Sequence, residues 1–298
     1  MKEKRALPLR RRFVIINGDD FGFSKGVNQG IITAYEQGVL TSTSLMVTGE
    51  AFDEAVALAK SHPNLAVGLH LVLGSAKSVL PHSQIPHLVD EDGNFSDKLN
   101  QAGVRYHLSS KARRELPLEI RAQLEKFRST GLPLSHVDGH NHMHFNPVVL
   151  HTLVNLALEF NIKVIRLPHE ELSLTLNIDS KNRLIKTVWY YVFGGLRWYG
   201  ERLLKSKGIA FSDRVYGTLQ TGYMSESYLL GLIPQIKANF VEIYSHPAIA
   251  IPGEPSNGPQ GSGMLELDAL VSHRVREALD QNGFELTNYH NPNISLVL

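Results

Sequence analysis

Residues 135–145 read SHVDGHNHMHF, which places His136, Asp138, His140, His142 and His144 at strictly alternate positions. On an extended strand side chains repeat with period two, so all five imidazole and carboxylate groups would face one side. Five such groups could not share an apolar core without a heavy desolvation cost, so the spacing predicts a comb of metal ligands. An adjacent carboxylate pair, Asp19 and Asp20, lies in NGDDFG (17–22), where a first β-rich run gives way to a helix beginning near Lys25. Neighbours on an extended segment point to opposite sides, so one can bind metal while the other acts as a base. His70 interrupts the otherwise apolar run VGLHLVL, and His246 is held by Pro247 at the end of another run, where it could serve as a general acid. One carboxylate and two imidazoles with open positions suit a catalytic divalent ion of Zn, Fe, Mn or Co type, with magnesium also open.

The elements that must position these groups follow from periodicity. β-rich runs recur at 13–16, 44–47, 65–73, around 135, 163–167, 214–218, 240–244 and 284–288. Stretches with helical spacing lie between most of them, for example Val27, Ile31, Ile32 and Tyr35, or Leu116, Ile120, Leu124 and Phe127. This alternation predicts a parallel α/β fold in one domain over residues 13–298: a (β/α) TIM-like barrel, distorted by insertions. An open dinucleotide-binding sheet is disfavoured because no GxGxxG turn follows the first run. In a barrel, the C-terminal ends of the strands gather the catalytic groups, which is where both Asp19-Asp20 and His246 fall.

Two insertions break the rhythm. Residues 74–112, with Pro81, Pro86 and a turn at 90–93, are too long for a plain connection and could form a lid. Residues 168–211 interleave Trp189, Tyr190, Tyr191, Phe193, Trp198 and Tyr199 with Lys186, Arg197, Arg202, Lys205 and Lys207. The apolar run is shorter than the roughly 20 residues that span a bilayer. Two readings stay open for it, a helix packed on the barrel with a basic edge and a helix lying at a membrane surface.

Composition narrows the function classes. With 30 basic and 29 acidic residues in 298, total charge gives no sign of nucleic-acid binding. Residues 2–12 hold Lys2, Lys4, Arg5, Arg10, Arg11 and Arg12 against Glu3, with no apolar stretch following that would make a signal peptide, and read as a basic tail at 1–12. The absence of cysteine removes disulfides, thiolate metal sites and cysteine nucleophiles, and makes the cytoplasm the default location.

Taken in order and spacing, NGDDFGFSKGVNQGI, TSTSLMV, VGLHLVL, HVDGHNHMH and SHPA resemble the YdjC-like carbohydrate deacetylases, which include the chitooligosaccharide deacetylases. Three longer segments, VLPHSQIPHLVDEDGNF, the run from Ala102 to His140 and DRVYGTLQTGYM, are similar to the hopanoid-biosynthesis-associated branch. The resemblance implies a distorted (β/α) barrel and one divalent metal, magnesium by family, held by Asp20, His70 and His140. It implies Asp19 as base and His246 as acid in hydrolysis of the acetamide of an N-acetylglucosamine-type sugar. It further implies a glycosylated hopanoid of N-acetylglucosaminyl-bacteriohopanetetrol type as substrate, met at the inner membrane face. His142, His144 and Arg166 are the candidates for substrate contacts. A chitooligosaccharide deacetylase, a metal phosphoesterase and a non-catalytic sugar binder are the competing readings.

Overall fold

The computed structural model describes residues 12–255, 259 and 261–291. The basic cluster at 2–11 lies outside the described residues. Arg12, which the sequence groups with that tail, instead opens the first strand; it donates to Asn282 O (2.8 Å) and its guanidinium lies 3.9 Å above the Phe284 ring.

In chain order the elements are β1 (Arg12–Phe21), α1 (Lys25–Gln37), β2 (Ser42–Leu45), α2 (Phe52–Ser61), β3 (Ala66–Leu71), α3 (Leu99–Leu108), α4 (Ser110–Ser129), β4 (Val137–Gly139), α5 (Pro147–Phe160), α6 (Leu172–Ile178), α7 (Arg183–Lys205), β5 (Arg214–Tyr216), α8 (Glu226–Leu232), β6 (Phe240–Ser245), α9 (Ser262–Val271), α10 (His273–Gln281) and β7 (Phe284–Thr287). Every ladder is parallel, and the strand order is β4-β3-β2-β1-β6-β5. β1 carries β6 along one edge. Its other edge is shared, β7 pairing with Arg12 to Ile15 and β2 with the residues from Asn17 onward.

This arc forms a half-barrel. The run at 163–167, expected as a strand, closes it only through single bridges, Val137 to Ile165 and Val164 to Ala210. Pro168 supplies the reason: it has no N–H to extend a ladder and restricts the residue before it. The fold is therefore a distorted (β/α) barrel in a single domain, with strands whose buried faces are apolar on the helix side and increasingly polar toward their C-terminal ends.

Both insertions are pinned by buried polar groups. Glu119 of α4 accepts from Val79 N (2.8 Å) and Leu80 N (2.9 Å), and Gln123 exchanges two hydrogen bonds with the Val72 backbone, fixing the irregular 72–98 segment against α4. The second insertion forms α6 and α7. Lys186 donates to Asp179 O and to Gln220 Oε1, while Arg197 donates to Leu167 O and Ser212 O.

Candidate metal and catalytic site

The carboxylate pair sits where β1 leaves regular geometry. The register to β2 shifts between Gly18 and Phe21, and Asp20 has φ +69°, a left-handed value uncommon outside glycine. The separation of the two carboxylates thus rests on a bulge as well as on strand alternation. Asp20, fully buried, lies with Oδ1 3.0 Å from His70 Nε2 and 2.9 Å from His140 Nδ1. Burial opposes ionisation of Asp20, but the adjacent His140 and His70 outweigh it and hold the carboxyl well below its ordinary range.

The five-residue comb does not survive. β4 ends at Gly139 and the chain turns into a short 3₁₀ segment, His140–Phe145, in which Asn141 (φ 52°) and His142 (φ 55°) are both left-handed. The side chains consequently fan apart. His140 reaches Asp20; Asp138 stands 2.8 Å from His70 Nδ1; His136 stacks on Tyr289 at 3.9 Å; His142 Nε2 lies 2.9 Å from the Tyr244 hydroxyl; and His144 Nε2 lies 3.0 Å from Arg166 O. Burial pushes His144 down to about 4 and His142 well below the ordinary imidazole range, so both are neutral side chains.

Behind Asp19 is a buried guanidinium. Arg166 donates to both Asp19 oxygens (2.7 and 2.8 Å) and to Glu242 Oε1 (2.8 Å), and its Nη2 stands 2.8 Å from Asp138 Oδ2. Asn17 Nδ2 adds a bond to Asp19 Oδ1 (2.8 Å), and the Tyr289 hydroxyl donates to Glu242. Arg166 and His144 therefore lie behind the cavity wall, not on it, and the expectation that they contact substrate gives way to a positioning role. Three carboxylates around one cation are what allow that cation to stay buried.

On the opposite side His246 presents Nε2 3.8 Å from Asp20 Oδ2, with Nδ1 3.7 Å from Glu266 Oε2. Glu266 also accepts from the backbone N–H of His246 and of Met224. Burial would lower the imidazole pKa, but the Glu266 bond and the charges of Asp20, Glu266 and Asp19 raise it to about 9.

The ligand atoms of Asp20, His70 and His140 all lie within 4.8 Å of one another, and Asp138 behind His70 fixes that ring as a carboxylate behind a metal-bound imidazole does. This set fits a divalent ion. The ligand atoms of Asp19, His70 and Asp138 are equally close together, but the Arg166 guanidinium already lies against the two carboxylates and would repel a cation.

The cluster floors a cavity of about 1110 Å³. Asp19, Asp20, His70, His140, His142 and His246 line its base; Ser75 and 97–101 of the first insertion form one wall, and Trp189, Val192, Phe193 and Leu196 of α7 another. Sequence reasoning missed Glu242, Glu266, Asn17 and Tyr289. A signal existed for the first, since a charge inside the run FVEIYS needs a buried partner, as Arg166 in KVIRL does.

Fold and site define a (β/α) barrel with a carboxylate–imidazole centre at the C-terminal ends of its strands. The chain belongs to the YdjC-like protein family, whose model matches residues 13–281. It is 34% identical over 280 residues to a carbohydrate deacetylase of Geobacillus stearothermophilus, spanning 93% of this chain and 97% of that one. It is 30% identical over 284 residues to a chitooligosaccharide deacetylase of Escherichia fergusonii, spanning 93% and 98%. Among solved structures, a protein of Enterococcus faecalis V583 described as a candidate cellobiose-phosphate cleavage protein superposes with TM-score 0.73 at 27% identity, over 94% of this chain and 98% of its own.

Proposed function

We propose that this protein is a carbohydrate N-deacetylase, a hydrolase of amide C–N bonds that releases acetate from an N-acetylated amino sugar. The observation that carries it is the arrangement around Asp20: a ligand set of Asp20, His70 and His140, with Asp19 on one side and His246 on the other, at the floor of a single cavity. A divalent ion held by Asp20, His70 and His140 supplies, when bound, polarisation of the acetamide carbonyl and acidification of the attacking water. Asp19, clamped by Arg166 and Asn17 so that its carboxylate cannot rotate away, takes the water proton. His246, protonated at neutral pH, gives a proton from Nε2 to the departing amine while Glu266 holds the ring from behind. Tyr244, His142 and Thr221 form a hydrogen-bonded row on the cavity side, and His142, which lines the cavity, is the comb residue to which we assign a contact with the sugar.

For the substrate we propose a lipid-carried sugar of the N-acetylglucosaminyl-bacteriohopanetetrol type. Support comes from the three segments similar to the hopanoid-associated branch and from the apolar α7 wall of the cavity. Acetate release is the test: purified protein, reconstituted with magnesium, zinc, manganese or cobalt in turn, is assayed on N,N′-diacetylchitobiose and on the glycolipid. Acetate from either substrate supports the deacetylase; acetate from neither, or phosphate release from sugar phosphates in its place, rejects it.

A further inference from the structure

Helix α7 is apolar on its outer face as well as on its inner one, where Phe193, Leu196 and Leu203 pack on the core. Its buried residues are Lys186, Arg197, Gly200 and Leu204. Its exposed residues include Leu184 (77%), Ile185, Val188, Trp189, Tyr191 (71%), Val192, Trp198 (60%) and Tyr199. The spacing 184, 188, 191, 195, 198, 202 follows one stripe of a helix. An ordinary surface helix does the reverse, because each exposed apolar side chain forgoes the burial that holds a fold together. This orientation is not a packing accident, since Lys186 and Arg197 are bonded internally to four backbone or amide oxygens and so fix which face looks outward.

The outward face is also charged in one sense. Lys181, Arg183, Arg202, Lys205 and Lys207 are exposed and, among the described residues, pair with no carboxylate. The one carboxylate between 181 and 208, Glu201, is half-buried and bonded to Arg197. Arg202 lies 3.6 Å above Trp198.

From this geometry we propose that the outer face of α7 docks on an anionic lipid bilayer. Trp and Tyr settle at the headgroup level with their polar edges wet, and lysine and arginine above them meet lipid phosphates. A second copy of this chain is the weaker occupant. A two-fold contact would bring the same cations face to face with no carboxylate to receive them. Trp189 and Val192 belong both to this face and to the cavity wall, so the docked surface adjoins the cavity. The docking does not depend on which substrate is hydrolysed.

Both tryptophans of the protein lie on α7, Trp198 on the outer face and Trp189 where that face meets the cavity, so tryptophan fluorescence reports this helix. Protein titrated with vesicles of phosphatidylcholine and phosphatidylglycerol should cosediment and shift its emission to the blue, more weakly with phosphatidylcholine alone and more weakly as salt rises. Lys205→Glu with Lys207→Glu should weaken partitioning by about tenfold or more. Tyr191→Ser with Trp198→Ser, both at exposed positions, should weaken it also while leaving acetate release from diacetylchitobiose unchanged. Absence of cosedimentation at low salt would overturn the proposal. So would a blue shift that tracks protein concentration without lipid, which would assign the face to self-association.

Discussion

Asp138 and Asp20 both approach His70, yet they hold opposite sides of the ring, and substitution should separate them. Asp20→Asn or His140→Ala removes a ligand atom from the cluster and should abolish both bound metal and acetate release. Asp138→Asn removes no ligand atom but takes away the carboxylate behind Nδ1, together with one of the three charges around Arg166, and should cost about 10- to 100-fold in metal affinity, the usual worth of such a partner. Metal analysis after dialysis against graded chelator distinguishes the two; full occupancy in His140→Ala would move the ligand elsewhere. Asp19→Asn should keep metal and lose roughly 10²- to 10⁴-fold in turnover, since in the proposed reaction it removes a base and no ligand. A kcat near that of the unaltered protein would end that assignment. Of these residues, Asp19, Asp20, His70, His140 and His246 stand out in the sequence because polar groups at the ends of apolar runs are costly unless used. Their division of labour does not stand out. It depends on Arg166, whose three partners come from three separate strands or turns and meet only once the barrel curls.

At the level of elements, the alternation of β and helical runs shows the barrel, and the misread comb shows the limit of that reasoning. Period two describes a strand, and nothing in HNHMH announces that His142 will join Asn141 in the left-handed region. The close approach of α1 to the loop that carries His246 is equally silent in sequence, although one glycine makes it. A Cβ on Gly30 would stand 2.6 Å from Ala248 Cα and 2.7 Å from Pro247 O. In an open helix Gly→Ala stabilises by about 1 kcal/mol, but here backbone blocks the added carbon and the steric cost outweighs the propensity gain. Gly30→Ala should therefore lower Tm and depress kcat together, because Pro247 follows His246 directly. Calorimetry showing an unchanged or higher Tm would mean that the loop yields freely.

Over the whole molecule, stability should depend on pH through Glu170, which is buried between α6 and the segment after β5. Its carboxyl accepts from Leu219 N (2.7 Å) and Thr175 Oγ1 (3.1 Å), and burial, only partly offset by these bonds, raises its pKa from 4.5 to about 7. The folded state therefore binds this proton more tightly than the unfolded chain. That contribution is complete below about pH 4.5 and is lost as pH rises through 7. Glu170→Gln should gain on the unaltered protein in urea midpoint more at pH 8 than at pH 5; an equal difference at both would assign the slope to other groups. No described helix is long and apolar enough to cross a membrane. One further consequence concerns the order in which that fold can assemble. Tyr289 bonds Glu242, Glu242 bonds Arg166, and Arg166 clamps Asp19, while β7 covers the half of β1 that β2 leaves bare. Asp19 thus waits about 150 residues of synthesis for Arg166, and the buried network around that arginine is completed only when β7 and Tyr289 arrive. Non-local parallel pairing of this kind folds slowly. During that interval the half of β1 that β7 will cover is an unpaired edge, which exposes newly made protein to misassembly.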